Sequence, residues 1–88
     1  MGRMREARVL LIGKPACHLC EEAREVVARV CGELDVDWAE ASILDDPELA
    51  DRYWELIPVT FVDGVQLAHW GVTEEQLRTA LQVDQPPD

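Results

Sequence analysis

The spacing of apolar positions changes several times along this chain, and each spacing names an element. Residues 8–12, RVLLI, form a short, almost continuous apolar run, as expected of a strand covered on both faces. Gly13 and Pro15 break it. From Leu19 onward the apolar positions are Ala23, Val26, Val27, Val30, Cys31 and Leu34. Spacings of three and four make one helical stripe, with Glu21, Glu22, Arg24, Glu25 and Arg29 off it. Gly32 lies near the end of the stripe and is where this helix is expected to fray.

Val36 and Trp38 then alternate with Asp35, Asp37 and Ala39, which predicts a second strand reaching about Ser42. Asp46-Pro47-Glu48 supplies an N-cap acid and a proline at the first helical position, so a short helix is expected to about Glu55 with Leu49 and Tyr53 facing in. After Ile57-Pro58, the runs at 59–62 and 65–69 flank Asp63-Gly64. A two-residue Asp-Gly loop between apolar runs predicts a hairpin, because its type I′ turn needs positive φ angles. Thr73 with Gln76 forms a capping box for a last helix whose apolar face is Leu77, Ala80 and Leu81. The expected order is β-α-β-α-β-β-α, an α/β domain with a mixed four-stranded sheet and helices on both faces. The domain is assigned to residues 1–82, and 83–88, with paired prolines and no apolar periodicity, to a disordered tail.

Composition narrows the partners. The 88 residues suffice for one small core. A formal charge of -10, from 18 acids against 8 bases, repels phosphate backbones and anionic lipids, so neither nucleic acid nor a membrane surface is an expected partner. No apolar run approaches the roughly 18 residues of a bilayer span, and the N-terminus lacks the pattern of a signal peptide. Three cysteines, an odd number, fit a reducing compartment better than a stapled secreted domain, so a cytoplasmic location is expected. A monomer is the expected state.

The chemistry centres on Cys17-His18-Leu19-Cys20, after the first strand and opening the first helix, at the strand end where open α/β sheets place their sites. A structural zinc site needs four ligands, and the remaining Cys31, His18 and His69 are poorly spaced to complete one. A permanent staple across so small a loop removes little unfolded-chain entropy. A reactive dithiol has a mechanism. A sulfur at a helix N-terminus sits beside unpaired N–H groups and the positive end of the macrodipole, which favour the thiolate. Cys20, one turn on, can then resolve a mixed disulfide formed by Cys17. Lys14, the only lysine, lies three residues before Cys17 and is placed to stabilise a thiolate or attract an anionic substrate, though a solvated loop lysine accounts for it equally. His18 carries the same two readings. Cys31 on the apolar stripe reads as core, and Trp38 and Trp54 as core or its edge. His69 and Trp70 end the hairpin and can line a site, with packing the favoured role for the tryptophan.

Element order, the cysteine motif at the first helix, and Ile57-Pro58 before a strand ending in Val62-Asp63-Gly64 resemble the thioredoxin fold. More narrowly, KPACHLCEEA, DDPEL and IPVTFVDG make the chain similar to the small glutaredoxin-like proteins of bacteria, from about residue 9 to 81. The resemblance implies thiol-disulfide oxidoreductase activity, with Cys17 as nucleophile, Cys20 resolving and no bound metal or cofactor. It further implies a cis bond at Pro58 facing the active cysteine, backbone pairing between Ile57 and a bound peptide or glutathione, and contact of the glycine carboxylate of glutathione by Lys14. Two features depart from the family. His18-Leu19 replaces the usual Pro-Tyr, and Ala68-His69-Trp70-Gly71 stands where glutathione-binding members carry a glycine pair. Thr73 and the free N–H groups of the last helix can still hold a carboxylate, with Glu74 and Glu75 opposing it. Glutathione as co-substrate, a protein or low-molecular-weight disulfide, and a thioredoxin-reductase-type donor therefore all stand. The reading from a different class is a non-catalytic module whose pair holds a metal or iron–sulfur cluster at a dimer interface.

Overall fold

The computed structural model describes residues 7–83. Strand β1 (Val9–Gly13) leads into helix α1 (His18–Leu34), then strand β2 (Trp38–Ser42), a 3-10 turn (Ile43–Asp45) and helix α2 (Pro47–Tyr53). Strands β3 (Val59–Val62) and β4 (Val65–His69) form a hairpin, and helix α3 (Glu74–Val83) closes the domain. The element order is the one expected. The sheet order is β2-β1-β3-β4, with β1 parallel to β2 and antiparallel to β3, and β3 antiparallel to β4.

Alternation along the strands assigns the two faces. Val9 and Val62 pack with Val27, Val30 and Cys31 of α1 and with Leu77 and Leu81 of α3. Ile12 and Val59 point the other way, to Ile43 and to Leu49, Ala50 and Tyr53 around α2. Helices therefore cover both faces, which is why β1 reads as nearly continuous apolar sequence. Cys31 is core, as expected, at 1% exposure. Trp38 packs at the edge of the α1 and α3 layer, whereas Trp54, expected at the core or its edge, is 61% exposed at the end of α2.

Three local predictions meet different outcomes. The Asp-Gly turn forms as expected, with φ of 52° at Asp63 and 83° at Gly64. The Arg8 guanidinium donates two bonds to the Asp63 carboxylate from the start of β1, which fastens that turn. The capping box also forms: Thr73 Oγ1 accepts from the Gln76 N–H at 3.1 Å, and Gln76 Oε1 accepts from the Thr73 N–H at 2.9 Å. Helix α1, however, runs past Gly32 without fraying there. It stops at Asp35, which adopts the left-handed conformation at φ 59°, and the N–H of Val36 returns to the Cys31 carbonyl at 2.9 Å. A short polar side chain tolerates that region, so aspartate does what glycine was expected to do. Strand β2 starts two residues late for the same reason, because Val36 still belongs to the helix terminus. Helix α3 extends to Val83, the first residue assigned to the tail. Residues 1–6 and 84–88 of the expected domain and tail lie outside the described residues.

Candidate active site

The register brings three separate chain segments to one end of the sheet. Gly13 at the end of β1 pairs with Ser42, Ile12 pairs with Val59, and Val59 pairs with His69. The cysteine motif, which follows Gly13, the Ile57-Pro58 step, which precedes Val59, and Trp70, which follows His69, therefore all emerge together. The Ile57-Pro58 peptide bond is cis.

Ala16, with φ of 57°, turns the chain out of the exposed segment 14–16 and into α1. Cys17 is the N-cap of that helix, with extended backbone angles. Its sulfur takes the place of the usual capping oxygen and accepts the Cys20 N–H at 3.2 Å, while its carbonyl accepts the Glu21 N–H at 3.0 Å. The expected start of the helix is met, and the sulfur lies at the N-terminus of α1 with the Cys20 N–H directed at it. Cys17 is partly exposed and Cys20 is buried, so the pair is asymmetric: one sulfur faces outward and the other waits behind it.

Cys20 sits directly over the end of β1. A methyl group at Gly13 would fall 2.9 Å from Cys20 Sγ and 3.2 Å from its Cβ. Burial, with the hydrogen bond to Cys17, pushes the Cys20 thiol up to about 11; the backbone and charge of Lys14 act in the opposite sense. Burial also pushes Cys31 up to about 11, which marks an inert core thiol.

The other expected residues divide between the site and local structure. Lys14 is exposed and lines a cleft of about 280 Å³ with Arg24, Glu40, Ser42 and Asp45 beside the motif. Arg24 is held there by the Glu40 carboxylate at 2.7 Å, which joins α1 to β2. His18 points along its own helix to Glu22 Oε2, 3.0 Å away, with 82% of its side chain exposed. Thr73 is committed to the cap of α3, and beside it Arg78 and Arg29 balance Glu74, whose carboxyl is held below its ordinary value by the Arg78 hydrogen bond. The Ile57 N–H is taken by the Tyr53 carbonyl at 3.0 Å, and none of the described residues donates to the Ile57 carbonyl. Among the described residues no three His, Cys, Asp or Glu side chains converge as a metal site. A larger groove of about 410 Å³ lies on the α2 face, floored by Leu10, Ile12, Leu49 and Phe61, and includes neither cysteine of the motif.

Two contributors were not legible in advance. Gly13 matters because Cys20 fills the space a side chain would take, and nothing in the sequence near it records that contact. Trp70, for which packing was favoured over lining the site, is 62% exposed, and the bond its indole N–H donates to the Glu55 carbonyl at 2.8 Å is the part the sequence did not indicate.

The comparisons extend the same picture. An uncharacterized protein of Mycobacterium tuberculosis (Rv0508) is 28% identical over 95 residues, covering 97% of this chain and 96% of its own. The X-ray structure of target protein XcR50 from X. campestris superposes with a TM-score of 0.72 at 27% identity, over 88% of this chain and 99% of that one. A thioredoxin from Fasciola hepatica shares the fold, with a TM-score of 0.61 at 20% identity, over 88% of this chain and 79% of its own. No helix among the described residues is long and apolar enough to cross a membrane. Residues 8–82, nearly all of the described chain, match the glutaredoxin-like domain (DUF836), and the chain belongs to that family, with a thioredoxin-like fold.

Proposed function

We propose that this protein is a cytoplasmic thiol-disulfide oxidoreductase working through Cys17 and Cys20. The observation that carries the reading is the placement of Cys17 Sγ at the N-cap of α1, accepting the Cys20 N–H, with Cys20 buried one turn behind. Hydrogen bonding of this kind stabilises a sulfur anion as it forms and as it leaves. In the forward direction the Cys17 thiolate attacks one sulfur of the substrate disulfide. A mixed disulfide forms, and the other substrate sulfur leaves as a thiolate that takes up a proton from water. Cys20 then gives up its proton and attacks Cys17 Sγ, which expels the second substrate thiolate and leaves a disulfide between Cys17 and Cys20. Two electrons pass to the substrate, and an external dithiol or two molecules of glutathione return them.

The same reading extends to Lys14. Cys20 must give up its proton to resolve, and burial holds that proton on; the Lys14 cation and backbone act in the opposite sense, which is the role read for Lys14. Glutathione or a thioredoxin-reductase-type protein serves as donor. With the hydroxyl of Thr73 used in its cap and Arg24 paired with Glu40, Lys14 is, among the described residues, the cation in the cleft beside the motif that can meet an anionic substrate.

The test is a reductase assay on a protein disulfide and on a small disulfide, with glutathione and thioredoxin reductase compared as donors. Cys17→Ser is expected to abolish turnover, and Cys20→Ser to accumulate a mixed disulfide on Cys17 visible by intact mass. Full activity in Cys17→Ser overturns the proposal.

A further inference from the structure

The sheet face under α2 is only partly sealed. Helix α1 buries five of its residues on the opposite face, whereas the seven-residue α2 buries none. Leu10 and Phe61 of the sheet and Leu49 and Tyr53 of the helix are left half-buried, and between them runs the groove of about 410 Å³. That volume falls in the range of ligand sites, about 300–1,000 Å³. The Tyr53 and Phe61 rings meet edge-on, with centroids 5.8 Å apart and planes at 82°, so an aromatic corner stands ready beside the groove floor.

Charge selects the occupant. Among the charged residues that line the groove, Arg8 is met by Asp63 through two hydrogen bonds, and Arg52 stands against Asp46 and Glu48. Residues 45–55 carry five acids, Asp45, Asp46, Glu48, Asp51 and Glu55, and one base, Arg52. With the chain at a formal -10, an anionic ligand at this flank and a second copy of the chain are both repelled. A cationic partner is attracted, and its ammonium or guanidinium groups also sit favourably on the faces of the Tyr53 and Phe61 rings.

The groove adjoins the reactive end without including it. Asp45 lines the cleft that holds Lys14, and the next residue, Asp46, lines the groove. Ile12 on the groove floor precedes Gly13, on which Cys20 rests. Neither Cys17 nor Cys20 lines it, so an occupant leaves the thiols open. We infer that this groove is a docking site for a basic amphipathic polypeptide segment: apolar side chains enter between Leu10, Leu49 and Phe61, and flanking lysines or arginines meet Asp46 and Glu48. Resting on the oxidoreductase reading above, the segment belongs to the protein whose disulfide Cys17 attacks, and the groove holds that protein during the exchange.

Three short cysteine-free peptides in the amphipathic spacing of a helix serve as probes: leucine with lysine, leucine with glutamate, and serine with lysine. Binding is followed by NMR titration of the isotope-labelled reduced protein, an arm that needs no turnover. The leucine–lysine peptide is expected to shift the amides of Leu10, Leu49 and Phe61 and to bind about tenfold more tightly than either control at low salt, a margin that shrinks as salt screens the acids. Glu48→Lys is expected to weaken it about threefold and Arg52→Glu to tighten it by a similar factor. Both positions are exposed, so both variants fold. Equal binding of the leucine–glutamate peptide, or unmoved amides at Leu10, Leu49 and Phe61, overturns the assignment. Concentration-dependent shifts at these residues in the protein alone overturn it too, because they seat a second copy there. In a turnover arm each peptide carries one cysteine joined as a disulfide to 2-mercaptoethanol, and kcat/KM is expected to follow the same order. Glu48→Lys then lowers kcat/KM for the leucine–lysine peptide about threefold and leaves 2-hydroxyethyl disulfide at the parental rate. Equal kcat/KM for the three peptides overturns the recruiting role. Binding in the groove without turnover of any disulfide supports the docking site and marks failure of the dithiol reading instead.

Discussion

Replacing Gly13 by alanine tests how closely the second thiol is seated. The new methyl group falls 2.9 Å from Cys20 Sγ and 3.2 Å from Cys20 Cβ, where ordinary contacts lie at about 3.5–4.0 Å. A rotation about the Cys20 side chain can carry Sγ away but leaves Cβ in place, so α1 or the end of β1 must also shift by some tenths of an ångström. Overpacking of this kind costs about 1–3 kcal/mol. Gly13 is not among the glycines with positive φ, so alanine there also restricts the unfolded chain, which returns about 0.4–1 kcal/mol. The net expectation is a loss of about 1–2 kcal/mol in urea unfolding of the reduced protein. The same substitution in a Cys20→Ala background has no sulfur to meet, and its cost is expected to fall by about 1 kcal/mol, a coupling typical of touching residues. Equal stability of Gly13→Ala and the parent, or an identical cost in both backgrounds, refutes the reasoning. Because the Cys20 N–H is the donor to Cys17 Sγ, the displaced helix turn should also slow closure of the disulfide.

Two further outcomes follow from buried groups. Thr60 in β3 is fully buried and its hydroxyl has no hydrogen-bond partner among the described residues, so the isosteric Thr60→Val should raise stability by about 1 kcal/mol in the same urea assay; a loss instead would reveal a partner for the hydroxyl. Cys20 and Cys31, each raised from 9.0 to about 11 by burial, keep their protons in the folded protein where the unfolded chain has lost them. Folding stability of the reduced protein should therefore hold below pH 9 and fall between pH 9 and 11, by up to about 2–3 kcal/mol per thiol. Midpoints of urea unfolding at pH 8 and pH 10 check this, with Cys31→Ala expected to lose less on going alkaline; equal losses in both proteins would contradict it.

How far the sequence carried can be argued element by element. Periodicity found β1, α1, the hairpin and α3, because in each the side chains that must be buried are neighbours in the chain. Local stereochemistry found Asp63-Gly64 and the Thr73 cap, since both depend on residues no more than three apart. The Gly32 expectation failed because glycine permits a helix end without requiring one, and the left-handed position fell to Asp35. Trp54 failed for a related reason: apolar character raises the chance of burial but does not place a residue at the end of α2, where it is 61% exposed.

The site divides along the same line. The geometry of its cysteine half was readable, because Cys17, the Cys20 N–H it accepts and the start of α1 lie within a single helical turn, set by short-range sterics. Its supporting half was not. Gly13 against Cys20 depends on how α1 settles on β1, and Trp70 against Glu55 depends on a donor and an acceptor separated by 15 positions and joined only once β3 and β4 have paired. The motif therefore specifies which atoms can react, while the sheet register determines what can be held against them. Trp70 belongs to the second half: its indole N–H meets the Glu55 carbonyl and its backbone N–H the Leu56 carbonyl, and both contacts are made across the sheet end.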